Sequence, residues 1–238
     1  VDLLMLFVRG FFRVLFVATL PWTAKYIAVK TISLAYAVAG APPQGLMGTG
    51  LIVGYSVCLL LASDLSRYAL HRLMHGVPVL WRFHQVHHSA EVLTPFSLYR
   101  VHPVEQLLQM LRSILVVGFT AGVFAYLSYG KASVWTLYGV PGVVMIFSVL
   151  GANLRHSQSW IPYPRWVEGF LISPAQHQLH HAISADGQRS NYGSMLAIWD
   201  RMLGSLTRSD AGRPERFGVE PADRVHDPRS IRSVILDP

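Results

Sequence analysis

Histidine is the residue type that stands out. Eleven occur in 238 residues, against thirteen acidic residues in all. Ten of the eleven fall in local groups: His71 and His75; His84, His87, His88 and His102; His156; and His177, His180 and His181. His226 stands apart near the C-terminal end. One HxxxH and two HxxHH patterns result. On a helix, residues three and four apart share a face, so each pattern gathers its imidazoles on one side. Imidazole is a ligand for iron, zinc, copper and nickel, and helical bundles build metal sites at this spacing. A lone HxxxH is often a polar surface turn. Three such patterns in one chain point to metal.

Eight histidines in three boxes, with His102 and His156 as further donors, exceed what one ion needs. A structural zinc closes with four ligands and a catalytic zinc takes three plus water. The set suits two neighbouring metals with four or five nitrogens each. No Glu-x-x-His pair and no HExxH occurs, so neither a carboxylate-bridged centre nor a zinc metalloprotease is expected. A single cysteine, Cys58, excludes a disulfide framework or thiolate cluster; inside an apolar run it reads as inert core.

The elements that must carry these boxes are membrane helices. The chain is 52% hydrophobic and only 14% charged, where a soluble domain has roughly 25%. About 20 apolar residues cross a bilayer as a helix. Leu46–Ala62 fits and continues helically to His75. Ser113–Tyr129 and Ala132–Leu150 form a hairpin turning at Gly130-Lys131, with a kink expected at Pro141-Gly142. Leu3–Leu20 and Trp22–Ala39 read as two retained membrane helices rather than a signal peptide, with Arg9 and Arg13 on one face of the first. The fold expected is an all-α membrane bundle of about four spans with a helical cap bearing the histidines. Residues 1–204 form the catalytic domain and 205–238 a polar tail holding six arginines and six acids.

Topology agrees with one shared site. Two spans separate the second box from the third, and two crossings return the chain to the same side. The formal charge of +7 comes from scattered arginines without a basic run, which argues for a membrane surface and against nucleic acid.

These boxes, with Arg72 after His71 and the phrase Ser173-Pro174-Ala175-Gln176-His177, resemble the fatty acid hydroxylase/sterol desaturase superfamily of membrane di-iron oxygenases from about Asp64 to Asp200. The resemblance implies His71, His75, His84, His87, His88, His177, His180 and His181 as ligands. It matches His156 to a further family histidine, and His102, in Arg100-Val101-His102-Pro103-Val104-Glu105, to a recurring His-Pro-x-acid segment. It implies two iron ions that activate O2 to attack a C–H bond of a lipid, with zinc able to replace iron in purified protein.

A ligating imidazole hands its second N–H to a neighbour. Asp64, two turns before His71, is a candidate for that role, or else an ion-pair partner of Arg67; Glu105 and Asn153 are further candidates. Tyr68, Trp81, Phe83, Phe96 and Tyr99 are channel-lining or packing residues. Gly48-Thr49-Gly50 and Gly54 imitate a nucleotide loop, but inside a span they read as close helix packing.

The leading function is an O2-dependent lipid hydroxylase or desaturase. No nicotinamide or flavin fingerprint occurs, so electrons are expected from a separate cytochrome b5-like or ferredoxin-like donor. A membrane dizinc hydrolase and a non-catalytic metal-binding membrane protein are the alternatives. The boxes are expected on the cytoplasmic side, and the arginine excess and compact length fit a bacterial inner-membrane protein.

Overall fold

A computed structural model describes residues 1–42, 48–129, 131, 154–184, 187–227 and 229–236. Seven α-helices are described: α1 Asp2–Ala39, α2 Gly48–Gly76, α3 Pro78–His88, α4 Pro103–Leu127, α5 Pro174–His180, α6 Ile198–Met202 and α7 Ile231–Leu236. Among the described residues, extended pairing is limited to two isolated bridges, Leu171 with Leu196 and Ala182 with Phe217. Three helices, α1, α2 and α4, are long and apolar enough to cross a membrane. The expected fourth span, Ala132–Leu150 with its Pro141-Gly142 kink, lies outside the described residues, as do Gly130 and Asn153.

The two expected N-terminal helices are one. α1 runs 38 residues with Pro21 inside it, about 57 Å at 1.5 Å per residue. Proline removes a backbone donor, but a long apolar helix tolerates that loss when neighbouring side chains cover backbone acceptors. Around Pro21, the Thr19 hydroxyl donates to the Leu15 carbonyl at 2.8 Å and that of Thr23 to the Thr19 carbonyl at 2.9 Å.

The chain divides into two compact units. The first contains residues 13–66 and 109–147. Its described core is Ala28, Leu51, Tyr55, Leu59, Ala121, Phe124 and Ala125. Val14, Val17, Trp22 and Val38 point outward from α1, which suits a helix whose solvent is hydrocarbon. α1 and α4 approach backbone to backbone at two glycines. A Cβ on Gly118 would stand 2.7 Å from the Ala24 carbonyl oxygen, and one on Gly122 2.7 Å from that of Ala28. This is a small-xxx-small contact on both helices. Of the glycines singled out in the sequence, Gly54 packs closely, since a Cβ there would stand 3.4 Å from the Phe124 ring, whereas a Cβ on Gly48 or Gly50 would meet nothing within 4 Å. Cys58 is exposed, not core, because apolar sequence in a span is equally suited to facing lipid.

The second unit contains residues 1–12, 67–108 and 148–238, and carries every histidine. Residues beyond 204 pack into it. Val234 of α7 is buried with Met5 and Val86, and the Gln85 side chain donates to the Asp223 carbonyl at 2.8 Å while accepting from the Val225 amide at 2.9 Å. Arg9 belongs here too: its guanidinium donates to the Leu98 carbonyl at 2.5 Å and lies over the Tyr99 ring.

Candidate metal centre

Two groups of imidazoles converge. His71, His75, His84, His88 and His180 form one, and His87, His156, His177 and His181 the other; within each, one nitrogen per residue lies within 4.8 Å of all the rest. α2 supplies its pair one turn apart, α3 supplies His84 and His88 to the first group and His87 to the second, and α5 supplies His180 to the first and, with its C-cap residue His181, His177 to the second. The rings of His88 and His181 stack at 4.3 Å, so the groups abut.

Outer hydrogen bonds decide which nitrogen faces inward. Nδ1 of His71 donates to the Tyr192 carbonyl at 2.8 Å, Nδ1 of His180 to the Ser190 carbonyl at 2.7 Å, and Nδ1 of His87 to the Arg100 carbonyl at 3.3 Å. Nδ1 of His84 faces the Glu105 carboxylate at 3.0 Å. Nδ1 of His156 donates to Ser97 Oγ at 3.1 Å, whose own proton goes to the Thr94 carbonyl. Carbonyl and carboxylate oxygens only accept, so these imidazoles carry hydrogen on Nδ1 and a lone pair on Nε2.

The inner nitrogens crowd together. Nε2 of His71 and His180 are 3.0 Å apart, as are those of His156 and His177, and Nε2 of His181 is 3.2 Å from that of His177. Nitrogens about 2.1 Å from one ion and at right angles around it are separated by about 3.0 Å. Nε2 of His75 and His84 and both nitrogens of His88 are buried without a hydrogen-bond partner. Unpaired buried polar atoms are rare and costly. A cation at each group takes one nitrogen per ring, among them Nε2 of His75 and His84 and one nitrogen of His88, so the donor set fits two metal ions.

Burial also keeps the rings neutral. It lowers His84 and His87 to a pKa of about 3, with the neighbouring His84 adding to the effect on His87. His88, His177, His180 and His181 are held well below the ordinary value, first by burial and then by neighbouring histidines. His156 is lowered too, by burial and then by His87 and Arg155.

The supporting residues come from loops. Asn191 has φ +53°, a left-handed turn that lets the carbonyls on both sides of it, Ser190 and Tyr192, reach His180 and His71 of the first group. Its side chain ties the α5 carbonyl of Gln176 to the Thr207 amide. Asp200, fully buried, accepts from the Tyr192 and Gly193 amides and the Ser205 hydroxyl at 2.7–2.9 Å. Burial pushes its pKa up to about 6 despite those bonds. α5 starts with a capping box between Ser173 and Gln176, and buried Glu168 accepts from Ser173 Oγ at 2.8 Å and from the Ser209 amide at 3.0 Å. Trp81 packs 5.0 Å from the His75 ring.

Nine of the ten expected ligand histidines therefore meet; His102 does not. Its Nδ1 accepts from the Val104 amide at 3.1 Å and its Nε2 faces the Ile235 carbonyl at 3.2 Å. It is the N-cap of α4, with Pro103 at the first helical position, a sequence pattern that capping explains without metal. Glu105 holds His84, as a partner of a ligating imidazole would. Asp64 is buried, but the Nδ1 of His71 is taken by Tyr192. Arg67 reaches Ser194 Oγ at 3.3 Å. Tyr68 is buried and the Phe83 ring lies tilted against His102 at 4.8 Å, while Phe96 is exposed. Tyr192, Ser190, Ser97, Glu168 and Asp200 were not expected from sequence. The only local signal among the supports was Ser173-x-x-Gln176, a capping-box pattern.

Comparison with known proteins agrees with this geometry. The family model for fatty acid hydroxylase matches residues 56–205. The chain belongs to the fatty acid hydroxylase family. Among curated relatives of this family member, mouse (Mus musculus) lathosterol oxidase is 29% identical over 80% of this chain and 58% of its own length. Ornithine lipid hydroxylase of Rhizobium tropici is 26% identical over 77% of this chain and 50% of its own. Alkylglycerol monooxygenase of Danio rerio is 26% identical over 61% and 29%. The chain thus spans about half the length of these relatives or less. No solved structure matches it.

Proposed function

We propose that the protein is a membrane oxygenase that uses O2 and external electrons to hydroxylate or desaturate a C–H bond of a lipid, at a centre of two iron ions. The observation that carries this reading is the pair of all-imidazole groups, five and four nitrogens, with the outer N–H groups of five rings tied away and inner nitrogens 3.0–3.2 Å apart. His71, His75, His84, His88 and His180 would hold one ion, and His87, His156, His177 and His181 the other. Bound iron supplies O2 activation and the oxidation of an unactivated C–H bond.

The chain's own residues do the rest. The carbonyls of Tyr192, Ser190 and Arg100, the Ser97 hydroxyl and the Glu105 carboxylate fix ring orientation and keep protons on the outer nitrogens. Burial of the rings excludes bulk water, which protects a strongly oxidising site from side reactions. Nine nitrogen donors suit six-coordinate iron better than a dizinc hydrolase, whose tetrahedral ions close at four ligands. The relatives' printed names, a sterol oxidase, a lipid hydroxylase and an alkylglycerol monooxygenase, support a lipid substrate. A separate cytochrome b5-like or ferredoxin-like protein supplies electrons, and the histidine face lies on the cytoplasmic side, in a bacterial inner membrane.

The test is O2 consumption by iron-loaded protein in nanodiscs, with a chemical reductant and a panel of sterol, acyl, alkylglycerol and carotenoid lipids. Reductant- and lipid-dependent uptake is expected. Under isotopic O2, a product with one labelled oxygen identifies hydroxylation, and one lacking two hydrogens identifies desaturation. Uptake indifferent to every lipid in the panel would overturn the reading.

A further inference from the structure

The histidine-bearing unit has an apolar, arginine-fringed face that the metal centre does not use. Trp166 is 74% exposed and Met202 75%, and Phe170, Leu171 and Leu203 are exposed beside them. Two segments build this face. The turn around Val167–Gly169 is joined to α6 by the Ala197 amide donating to the Phe170 carbonyl at 2.8 Å, and Arg201 lies over the Phe170 ring at 5.9 Å.

We propose that this face docks into the headgroup–acyl boundary of the bilayer, on a leaflet rich in anionic phospholipid. Three observations converge. The first is height. Tyr68 on α2 hydrogen-bonds Ser205 Oγ at 3.0 Å, and Arg72 donates to the Leu203 carbonyl at 3.2 Å. The uncharged run of this spanning helix ends at Asp64. Tyr68 therefore stands about 6 Å along the helix beyond the apolar run, within the headgroup layer of about 5–8 Å, and Arg72 about 12 Å, just outside that layer. The second is composition: exposed Trp beside Arg, Met, Leu and Phe is what amphipathic surfaces present to that boundary. The third is charge. Arg201 and Arg208 both lie beside Gly169, within 4 Å of where its Cβ would stand. Asp210, the nearby exposed acid, is paired with Arg165 at 2.5 Å, and Asp200 is buried. The cationic excess complements anionic lipid.

Docking here sets the height of the third histidine box above the membrane, because Leu171 runs directly through Ser173 into α5. The inference rests on α2 residing in a membrane and is independent of the reaction.

Depth measurement tests it. Met202→Cys and, separately, Trp166→Cys are placed in a Cys58→Ser background, spin-labelled, and reconstituted as the full chain in nanodiscs containing phosphatidylglycerol. Collision rates with lipid-soluble O2 and a water-soluble nickel chelate are compared with those of Val57→Cys, on the exposed face of α2, and Glu215→Cys, on the exposed tail. The O2-to-nickel ratio at positions 202 and 166 is expected several-fold above that at 215 and near that at 57. A ratio matching position 215 overturns the proposal while leaving the membrane reading intact. Labels shielded from both reagents would mean a second copy covers the face, which also overturns it. A water-like ratio at position 57 would instead remove the membrane reading itself.

Discussion

The Nε2 atoms of His71 and His180 face each other at 3.0 Å while the Nδ1 of each donates to a backbone carbonyl, Tyr192 and Ser190 respectively. Neither ring has a proton left to share, so two lone pairs point at one another. A cation between them turns repulsion into coordination. The two carbonyls flank a single left-handed residue, Asn191, so one turn of loop orients imidazoles from α2 and α5 together.

His102 separates capping from ligation. His102→Ala removes the α4 cap and the contact with α7 but no donor from either group. Metal content should be unchanged, with stability lowered by roughly 0.5–2 kcal/mol, read as a lower Tm of metal-loaded protein. Loss of one metal equivalent would place His102 back among the ligands.

Glu105 should act through His84. Glu105→Leu leaves the Nδ1 proton of His84 without its acceptor, and support of this kind is worth about 10–100-fold in metal affinity. Glu105→Gln keeps an accepting oxygen and should lose less. Competition with a chelator measures both, and equal loss in the two variants would indicate a purely structural carboxylate.

Gly122 tests the membrane-helix contact. A Cβ there meets the Thr31 Cβ at 2.6 Å and the Ala28 carbonyl oxygen at 2.7 Å. Gly122→Ala must push α1 and α4 apart, at roughly 1–3 kcal/mol. Gly50→Ala, with open space around it, should be near neutral in the same thermal unfolding assay.

Metal-free protein should be acid-labile. His84 and His87 titrate near 6.5 when unfolded and at about 3 in the fold. Between those values the unfolded chain binds protons that the folded one does not. Stability is therefore full above about pH 6.5 and falls as pH drops toward 3, by up to roughly 1.4 kcal/mol per pH unit for each histidine. Denaturant midpoints across that range check the slope, and a flat profile would contradict burial of neutral rings.

The convergence of the histidines was legible because i, i+3 and i+4 spacing is a property of sequence alone. Their supports were not, because three of the five outer acceptors are backbone carbonyls, which carry no residue signature. His102 misled for a related reason: a helix cap and a ligand use the same lone pair. The spans at α2 and α4 could be read from apolar length, whereas the continuity of α1 through Pro21 could not, since proline in an apolar segment reads equally as a break. Gly118 and Gly122 carried the GxxxG spacing, but only the facing Ala24 and Ala28 show where the backbones meet.

Metal stoichiometry of detergent-purified, iron-reconstituted protein tests the central claim most directly. About two iron ions per chain are predicted, falling to about one in His75→Ala, from the five-nitrogen group, and in His177→Ala, from the four-nitrogen group, and to background when His87 and His88 are both replaced by alanine. Background metal in the folded wild-type chain after reconstitution would contradict it.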